Sequence, residues 1–391
     1  MSFDVTLLPS TFVKSQENIL DTIHEIRLEK LKKLLDKNKI DTLMVSTEAN
    51  RFYLSGFTGE DTQFDESAGT LFITEKKLIL ATDSRFEEQA AIEAPQFERY
   101  CYKKGLSKEI HHILKMLGTK HLGIEERRIS FYQYSQIKKT LSDAGLEIKI
   151  VSGDNTVESL RLIKGENEIK ATRKALCLAE TVFENFLQTI SCKMTEKEAA
   201  WAMEKGMREA GAEKLSFPVI AASGPNSALP HAIPGDRMIN TNEPLLFDWG
   251  ASLDNYCSDT SRTVILGHSD DQYKKIYKIV LEAQQKAIAA LGPGIYANEV
   301  DGIARRHIDQ TEFKGAFGHG LGHGTGLVVH EEPRLSPLCN TILQPGMIVT
   351  VEPGIYVAGW GGVRIENQVV IREDGCEVLN TLSTDRYIEA I

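Results

Sequence analysis

The sequence predicts an α+β protein of two domains, a smaller α/β domain over residues 1–155 and a larger domain over residues 156–391. A chain of 391 residues exceeds the usual size of one domain and can bury a core in each of two. The first part of the chain alternates short strand-like runs with helices, whereas the second part alternates long helices with hairpins. These two patterns determine the predicted fold class.

The smaller domain begins with about twenty residues that show no firm pattern. Apolar residues then recur at helical spacing from Ile23 to Leu35, which predicts a helix. The runs DTLMVS, TLFIT, KLILAT and LGIEE that follow it predict short strands separated by turns and helices. The domain is therefore expected to be a small α/β unit.

Helices in the larger domain are predicted from apolar spacing and from capping signals. The clearest one follows Thr195, because Thr195 and Glu198 form a capping box and Gly211 stands at the C-terminal cap position. The other predicted helices cover residues 166–190 and 270–291, and a further one is capped by Asn298 and ends near Asp309.

Charge and composition limit the classes of partner. The formal net charge of −10, from 45 basic and 55 acidic residues, argues against nucleic acid or an anionic membrane. Six cysteines are scattered singly without a CxxC pair, so neither a zinc-thiolate site nor a disulfide framework is indicated, and the cytoplasm is the expected location. The sequence shows neither a signal-peptide pattern nor a long apolar run. Small peptides or metabolites are the expected ligands.

A tight hairpin is predicted in PLLFDWGASLDNYCSDTSRT, from Pro244 to Thr263. If Ser252 and Asn255 close it, Asp248 lies directly opposite Asp259, with Cβ atoms roughly 4.5–5.5 Å apart. Like charges at that distance destabilise the pair, so a cation between them is expected. The hairpin alone leaves open the alternative that both carboxylates are solvated on an exposed face.

A second hairpin repeats this geometry in VTVEPGIYVAGWGGVRIENQVVI. Glu352 and Glu366 are symmetric about Gly359, so a turn at that glycine brings the two carboxylates together. Four clustered carboxylates are hard to keep ionised without bound cations. The two hairpins together predict a metal site.

Histidines 319, 323 and 330 lie between the hairpins in GAFGHGLGHGTGLVVHEEP. The spacing of His319 and His323 matches a helical zinc site of the HExxH type, but the alternate glycines disfavour a helix by about 1 kcal/mol each relative to Ala. A closely packed loop or strand is predicted instead. The glycine spacing also fails GxGxxG, which excludes a nucleotide-binding loop. The histidines expected to be structural are His24, His111, His112, His121, His268 and His307.

Four carboxylates and a histidine form an oxygen-rich ligand set that suits Mn²⁺, Fe²⁺, Co²⁺ or Zn²⁺. Two such metals roughly 3.5–4 Å apart lower the pKa of a shared water and polarise a carbonyl group. The chemistry that this set predicts is hydrolysis.

The contexts FDWG, SDTSRT, GLGHGTGLVVHE, VEPGIY and VRIEN resemble those of the pita-bread metallopeptidase family M24, which includes methionine aminopeptidases, aminopeptidase P and prolidase. The resemblance covers residues 160–391 and implies a pita-bread fold for the larger domain. It also implies two divalent metals per subunit, Mn²⁺ in first place with Co²⁺, Zn²⁺ or Fe²⁺ as alternatives. The metal ligands that it implies are Asp248, Asp259, His323, Glu352 and Glu366, with Asp259 and Glu366 as bridges.

The smaller domain resembles the companion domain of creatinase, prolidase and aminopeptidase P through NRFYLSGFTGE (Asn50–Glu60) and ATDSRFEEQA (Ala81–Ala90). Methionine aminopeptidases lack such a domain, so their activity is not expected here. In the family this domain often helps to form dimers, and a homodimer is therefore the expected assembly.

The resemblance also implies roles for individual side chains. FPVIAASGPNSALPHA resembles the segment by which the Xaa-Pro members supply a further active-site histidine, here His231. Glu352 is implied to move the proton between the attacking water and the leaving nitrogen. His330 is implied to bond the scissile or proline-side carbonyl, and His319 and His231 to stabilise the oxyanion or to seat the proline.

Four further positions near the motifs either allow two roles or depart from the family pattern. Arg364 either holds a carboxylate ligand or the substrate terminus, or forms a structural ion pair, and Tyr356 either lines the substrate pocket or packs as an aromatic. Asn367 stands where the Xaa-Pro members usually carry Asp, which removes a charge near the metals. Ser261 replaces a common Thr and keeps its hydroxyl group.

The expected substrate is a small peptide with proline at its second position. Aminopeptidase P, which removes the first residue from longer peptides, is the favoured activity, and prolidase, which cleaves only Xaa-Pro dipeptides, is the alternative. Creatinase-like amidinohydrolases and metal-free binding proteins on the same scaffold have lost metal ligands, whereas all five positions are intact here.

Overall fold

The computed structural model describes residues 10–63 and 66–389 and divides the chain into two units, Met1–Arg161 and Leu162–Ile391. The helices of the first unit are α1 (Ser10–Asn38), α2 (Glu48–Ser55), α3 (Glu87–Glu93), α4 (Leu106–Leu117), α5 (Phe131–Asp143) and α6 (Thr156–Arg161). Its strands are β1 (Thr42–Val45), β2 (Thr70–Ile73), β3 (Leu78–Thr82), β4 (Glu98–Cys101), β5 (His121–Ile124) and β6 (Lys149–Ser152). The boundary predicted after residue 155 falls just before α6.

A six-stranded mixed sheet in the order β4-β3-β2-β1-β5-β6 forms the centre of the first unit. The four strands predicted from apolar runs are present as β1, β2, β3 and β5, and their residues are almost all buried. The sequence analysis missed β4 and β6, which lie at the two edges and are only partly buried. Edge strands lack the continuous apolar run that marks a central strand.

The first helix of this unit is longer than predicted. It begins at Ser10 and not near Ile23, so part of the segment without a firm pattern is helical. The remainder of that segment, residues 1–9, lies outside the described residues.

A buried carboxylate fixes the start of α2. Thr47, which precedes the helix, makes no capping bond through its side chain. Glu125 from the end of β5 accepts hydrogen bonds instead from the backbone N–H groups of Ser46 (2.6 Å) and Thr47 (2.8 Å) and from the amide of Asn50 (2.6 Å). Burial raises the pKa of Glu125 above its usual range. One acidic side chain therefore holds both the backbone that leads into α2 and the Asn50 side chain of its first turn.

The second unit contains four long helices and several small sheets. The helices are α7 (Glu166–Leu187), α8 (Glu196–Glu209), α9 (Asp271–Ala290) and α10 (Ala297–Asp309). The strands up to α9 are β7 (Lys214–Leu215), β8 (Ile220–Ser223), β9 (Leu245–Trp249), β10 (Ala251–Leu253), β11 (Tyr256–Cys257) and β12 (Thr260–Val264). The later strands are β13 (Gly322–Gly324), β14 (Glu331–Leu335), β15 (Ile348–Val351), β16 (Gly354–Val357), β17 (Gly361–Arg364), β18 (Asn367–Arg372) and β19 (Gly375–Val378).

The strands of the second unit form sheets in the orders β11-β10-β7, β12-β9-β8, β14-β13-β15-β18-β19 and β16-β17. The core lies between these sheets and the helices. On the α7 side the rings of Phe183 and Trp249 stack with centroids 4.1 Å apart, and the Trp249 indole donates to the Ala179 carbonyl (3.0 Å). The mixture of helices and mainly antiparallel sheets matches the predicted α+β class.

Capping in the second unit follows the sequence in one helix and departs from it in another. The capping box at the start of α8 is confirmed, since the Thr195 hydroxyl accepts from Glu198 N (3.2 Å) and the Glu198 carboxylate accepts from Thr195 N (2.8 Å). The predicted cap at Asn298 is wrong, because α10 begins after Tyr296. The Asn298 amide donates instead to the Asn340 side chain (2.8 Å).

Among the described residues, no helix combines the length and the apolar character that crossing a membrane requires.

We predict that Glu125→Gln destabilises the first unit by about 1–3 kcal/mol, because the new amide group meets the Asn50 amide donor to donor. Hydrogen-exchange mass spectrometry should show faster exchange at residues 46–51, with Glu126→Gln at the adjacent exposed position as the control. Equal exchange in the two variants would refute the capping role of Glu125.

Candidate active site

The first hairpin brings Asp248 and Asp259 together, but not in the predicted register. In the β9–β12 pair Asp248 lies opposite Ser261 and not opposite Asp259. The turn is formed by Asp254 and Asn255, at φ values of 52° and 65°, and Asp and Asn accept this conformation more readily than the Leu253 of the predicted turn. Side chains alternate along a strand, so Asp259 shares the face of Ser261 and still approaches Asp248.

The second hairpin has the predicted register. Val351 pairs with Asn367 in the β15–β18 ladder and Gly354 with Arg364 in the β16–β17 ladder, so both ladders are symmetric about Gly359. Gly359 adopts a φ of 81° at the turn. Glu352 and Glu366 face each other between the two ladders.

Backbone hydrogen bonds join the second hairpin to the other parts of the site. Glu366 N donates to the carbonyl of Ser261 (3.1 Å) on the first hairpin. Glu352 N donates to the carbonyl of Leu321 (2.8 Å), in the glycine-rich segment that carries the histidines. The three sequence-distant segments therefore converge at one place.

Asp259, His323 and Glu366 are buried, and each offers a ligand atom within 4.8 Å of the others. His323 Nε2 lies 3.6 Å from Asp259 Oδ2 and 3.4 Å from Glu352 Oε1. The negative charge of Asp248 raises the pKa of Asp259, Glu352 and Glu366, which places it in the same cluster. The structure thus gathers the five side chains that the resemblance implies as metal ligands.

The donor atoms of this cluster fit divalent cations. Asp248 Oδ1, Asp259 Oδ1 and Glu366 Oε1 are buried and have no hydrogen-bond partner among the described residues. A buried polar atom without a partner is costly, and a carboxylate more so. Burial and the neighbouring carboxylates raise the pKa values of Asp259 and Glu366 well above their usual range, and burial raises the pKa of Glu352 to about 8. Positive charge at the unpartnered oxygens would remove both penalties.

His323 presents a lone pair to the carboxylates. Its Nδ1 lies 3.1 Å from the Gly324 carbonyl, which can only accept, so the hydrogen-bond network assigns the proton to Nδ1. Burial lowers the pKa of His323 to about 3, so the ring is neutral and Nε2 is free of a proton. This is the arrangement of a metal-binding histidine, whose second nitrogen is held by the protein.

His319 has the same tautomer but a different environment. Its Nδ1 lies 2.8 Å from the Gly320 carbonyl, and its Nε2 lies 2.9 Å from the hydroxyl oxygen of Tyr356. Burial lowers the pKa of His319 to about 4, so neutral His319 accepts from the Tyr356 hydroxyl. Nε2 of His319 is therefore not available to donate to an oxyanion while that bond is intact.

Arg364 connects Tyr356 with the ligand cluster. Its guanidinium donates to Asp248 Oδ2 (2.7 Å), to the Ser261 hydroxyl (2.8 Å) and to the Tyr356 hydroxyl (3.0 Å). It also donates to the Pro230 carbonyl (3.1 Å), next to His231 in the chain. Arg364 therefore holds the Asp248 carboxylate of the cluster, and the Tyr356 hydroxyl bonds to both Arg364 and His319.

The two remaining histidines are exposed. The ring of His330 contacts that of His323 edge to face, with centroids 4.3 Å apart. The charge of His231 acts on Asp248, His319 and His330, which places it at the same site.

Sequence reasoning missed Arg334, which the β13–β14 pairing places opposite His323. Its side chain is exposed, and its charge lowers the pKa of His323, His330 and Glu352. A single arginine in PRLSPL carries no motif, so only the register of β14 reveals its position.

Two ion pairs, one partly and one almost fully buried, hold the loops that carry the histidines. Asp301 and Arg305 on α10 pair at 2.8 Å, and Arg305 also donates to the carbonyl of His319 (2.7 Å). Lys164 pairs with Glu331, directly after His330, at 3.0 Å, and both side chains are almost fully buried. Neither pair was predicted, because the contacts of Arg305 with the His319 carbonyl and of Lys164 with Glu331 join residues that are distant in the sequence.

Comparisons with known proteins show which families the two parts of the chain match. The sequence model of metallopeptidase family M24 matches residues 170–373, and that of the creatinase/prolidase N-terminal domain matches residues 27–163. The Xaa-Pro dipeptidase of Pyrococcus furiosus is 36% identical over 357 residues, which cover 90% of this chain and 97% of the relative.

Two solved structures show the same fold over nearly the whole chain. The Xaa-Pro dipeptidase from Bacillus anthracis has a TM-score of 0.86 at 36% identity, covering 92% of this chain and 98% of its own. The X-Pro aminopeptidase from Thermotoga maritima has a TM-score of 0.80 at 36% identity, and the match covers 89% of this chain and 97% of the aminopeptidase chain.

We predict that the metal-free protein becomes less stable as the pH rises from 6.5 to about 8. Glu352 has a folded pKa of about 8 against an ordinary value of 4.5, so its protonated form stabilises the fold and is lost over this range. His319 and His323, whose pKa values are lowered, change the pH dependence of stability only below their ordinary pKa of 6.5. Thermal unfolding of chelator-treated protein checks this slope, and added Mn²⁺ should reverse it because deprotonated carboxylates bind metal.

The control for this prediction is Asp259→Asn, which removes one of the repelling carboxylates. The metal-free variant should lose less stability than the metal-free wild type between pH 6.5 and 8, and should gain less from Mn²⁺. A wild-type slope that Asp259→Asn leaves unchanged would place its origin outside this cluster.

Proposed function

Because the chain belongs to metallopeptidase family M24, we propose that it hydrolyses the Xaa-Pro bond of small peptides and prefers Xaa-Pro dipeptides. The observation that supports this most is the cluster of buried, unpartnered carboxylate oxygens around His323. The sequence alone favoured aminopeptidase P, but two of the three relatives above are named Xaa-Pro dipeptidases, which favours prolidase activity. Aminopeptidase P stays the second candidate, since the Thermotoga maritima relative carries that name.

We propose that Asp248, Asp259, His323, Glu352 and Glu366 bind two divalent cations, with Mn²⁺ preferred over Co²⁺, Zn²⁺ or Fe²⁺. Asp259 and Glu366 are the proposed shared ligands, as the family resemblance implies, and each keeps a buried oxygen without a partner among the described residues, as Asp248 also does. When bound, such a pair supplies a water of lowered pKa and polarises the scissile carbonyl. Proton transfer and substrate binding are proposed for side chains of the protein.

Glu352 is the proposed group that moves the proton. Its carboxylate accepts from the Thr350 hydroxyl (3.2 Å) and lies 3.4 Å from His323 Nε2, at the centre of the cluster. The nitrogen of an Xaa-Pro bond has no hydrogen, so it must gain a proton to leave as the amine of proline. Glu352 would take that proton from the attacking water and deliver it to the nitrogen.

The exposed histidines are proposed to contact the substrate. Neutral His330 stands against His323 and can bond the carbonyl of the scissile or following residue. His231, held near Arg364 through Pro230, can seat the proline side. For His319 we propose an indirect role, in which it fixes the hydroxyl of Tyr356 beside Arg364.

Arg334 is the proposed basis of a preference for dipeptides. The carboxylate of a dipeptide directly follows its proline, so an exposed cation beside His323 and His330 can bind it. In a longer peptide this carboxylate is replaced by an uncharged peptide bond. The attraction would then be lost.

We also propose a cytoplasmic homodimer. Six cysteines that form no disulfide among the described residues agree with a reducing compartment, and the family resemblance of the first unit supports dimer formation.

We expect the Mn²⁺-loaded protein to cleave Ala-Pro faster than Ala-Pro-Ala. Mass spectrometry of both reactions, with a chelated sample as the control, measures the two rates. Equal or faster cleavage of the tripeptide to Ala and Pro-Ala would instead establish aminopeptidase P, and no cleavage of either by metal-loaded protein would refute the Xaa-Pro assignment.

We predict that Arg334→Met raises KM for Ala-Pro by about tenfold or more, the effect of losing a charge-assisted hydrogen bond. The kcat for Ala-Pro and the KM for Ala-Pro-Ala should change much less. Arg306→Met, an exposed arginine on α10, is the matched control. An equal rise in KM for both peptides would mean that Arg334 does not read the terminal carboxylate.

A further inference from the structure

Gln284 on α9 lies outside the metal-ligand set but bonds to both of its glutamate segments. Its side chain is 1% exposed. The amide Nε2 donates to the carbonyl of Val351 (3.1 Å) and to the carbonyl of Ile365 (3.0 Å). These carbonyls belong to the residues immediately before Glu352 and Glu366.

The backbone at these two glutamates is not held by a regular ladder. Register pairs of β15 with β18 end at Val351 and Asn367, and those of β16 with β17 begin at Gly354 and Arg364. Between them the strands share a long bond from Ile365 N to the Pro353 carbonyl (3.4 Å). The glutamates thus face each other across an interruption in the pairing.

Gln284 spans this interruption from the helix side. A primary amide has two N–H donors on one nitrogen, which allows a single side chain to bond one carbonyl on each strand. Both carbonyls must stay within hydrogen-bond distance of the same nitrogen atom. The amide of Gln284 therefore limits how far the two backbones can move apart. The distance between the Glu352 and Glu366 carboxylates depends on that spacing.

We propose that Gln284 is a positioning residue, which sets the separation of the Glu352 and Glu366 carboxylates and thereby the affinity of the site for divalent metal. The proposal rests on the metal-binding role that we propose for these glutamates. Groups that orient metal ligands from behind typically change metal affinity 10–100-fold when removed. Gln284 does not touch the substrate or the reacting atoms.

The test is Gln284→Met in the full chain, a change that keeps the length of the side chain and removes both donors. Titration with Mn²⁺ should give a Kd about tenfold or more higher than that of the wild type. The visible absorption of the Co²⁺-loaded variant should also differ in band position or intensity, because the ligand geometry has changed. Circular dichroism sets a temperature at which both proteins are folded.

The matched control is Gln285→Met, which makes the same change at the next position of α9, where the side chain is exposed. Its Kd for Mn²⁺ and its Co²⁺ spectrum should equal those of the wild type. If Gln284→Met yields no folded protein, Gln284→Asn decides the point, since it keeps the amide and shortens its reach by one methylene.

A Gln284 variant that melts at a lower temperature but keeps the wild-type Kd and Co²⁺ spectrum would overturn the proposal and make Gln284 a purely structural residue. Failure of the wild type itself to bind Mn²⁺ would refute the metal site. The two failures are therefore distinguishable.

Discussion

The crowding of four carboxylates around His323 is the constraint on which the rest of the second unit depends. Charges of one sign at this depth repel each other and are poorly solvated, which raises the pKa of Asp259 and Glu366 well above the usual range. Arg364 offsets part of this charge by pairing with Asp248. Asp248 Oδ1, Asp259 Oδ1 and Glu366 Oε1 have no partner among the described residues, so a bound cation would lower the free energy of the cluster.

Such a cluster persists only if the surrounding backbone is firmly held. The two hairpins are joined by reciprocal bonds, in which Glu366 N donates to the Ser261 carbonyl and the Ser261 hydroxyl donates to the Glu366 carboxylate (2.7 Å). Behind them Arg262, fully buried, donates to the Glu366 carbonyl and to Asn367 Oδ1 (2.9 Å). The Asn367 side chain therefore accepts a hydrogen bond from Arg262, whose pKa is lowered by burial. Since Arg262 also bonds to the Glu366 carbonyl, the amide at position 367 acts on the site through Arg262.

The sequence predicts those parts of the site that local backbone chemistry decides. Gly359 marks the turn of the second hairpin, so the pairing of Glu352 with Glu366 could be counted outward from it. The register predicted for the first hairpin was wrong. The two left-handed turn residues are Asp254 and Asn255, whereas the symmetry of the motif had placed the turn one residue earlier in the chain. Arg334 and Gln284 could not be found at all, because their roles follow from register and from packing between distant segments.

The two glycine-flanked histidines show most clearly where sequence reasoning ends. His319 and His323 each lie in a Gly-His-Gly context, and each bonds Nδ1 to the carbonyl of the following glycine. That shared bond fixes the same tautomer in both and leaves Nε2 as an acceptor. The carboxylates of Asp259 and Glu352 lie near Nε2 of His323, whereas the hydroxyl of Tyr356 faces Nε2 of His319. An unprotonated nitrogen among carboxylates can bind a cation, while the same nitrogen beside a hydroxyl can only orient it. The identical local sequence therefore supports two different roles, and the partner across the fold decides between them.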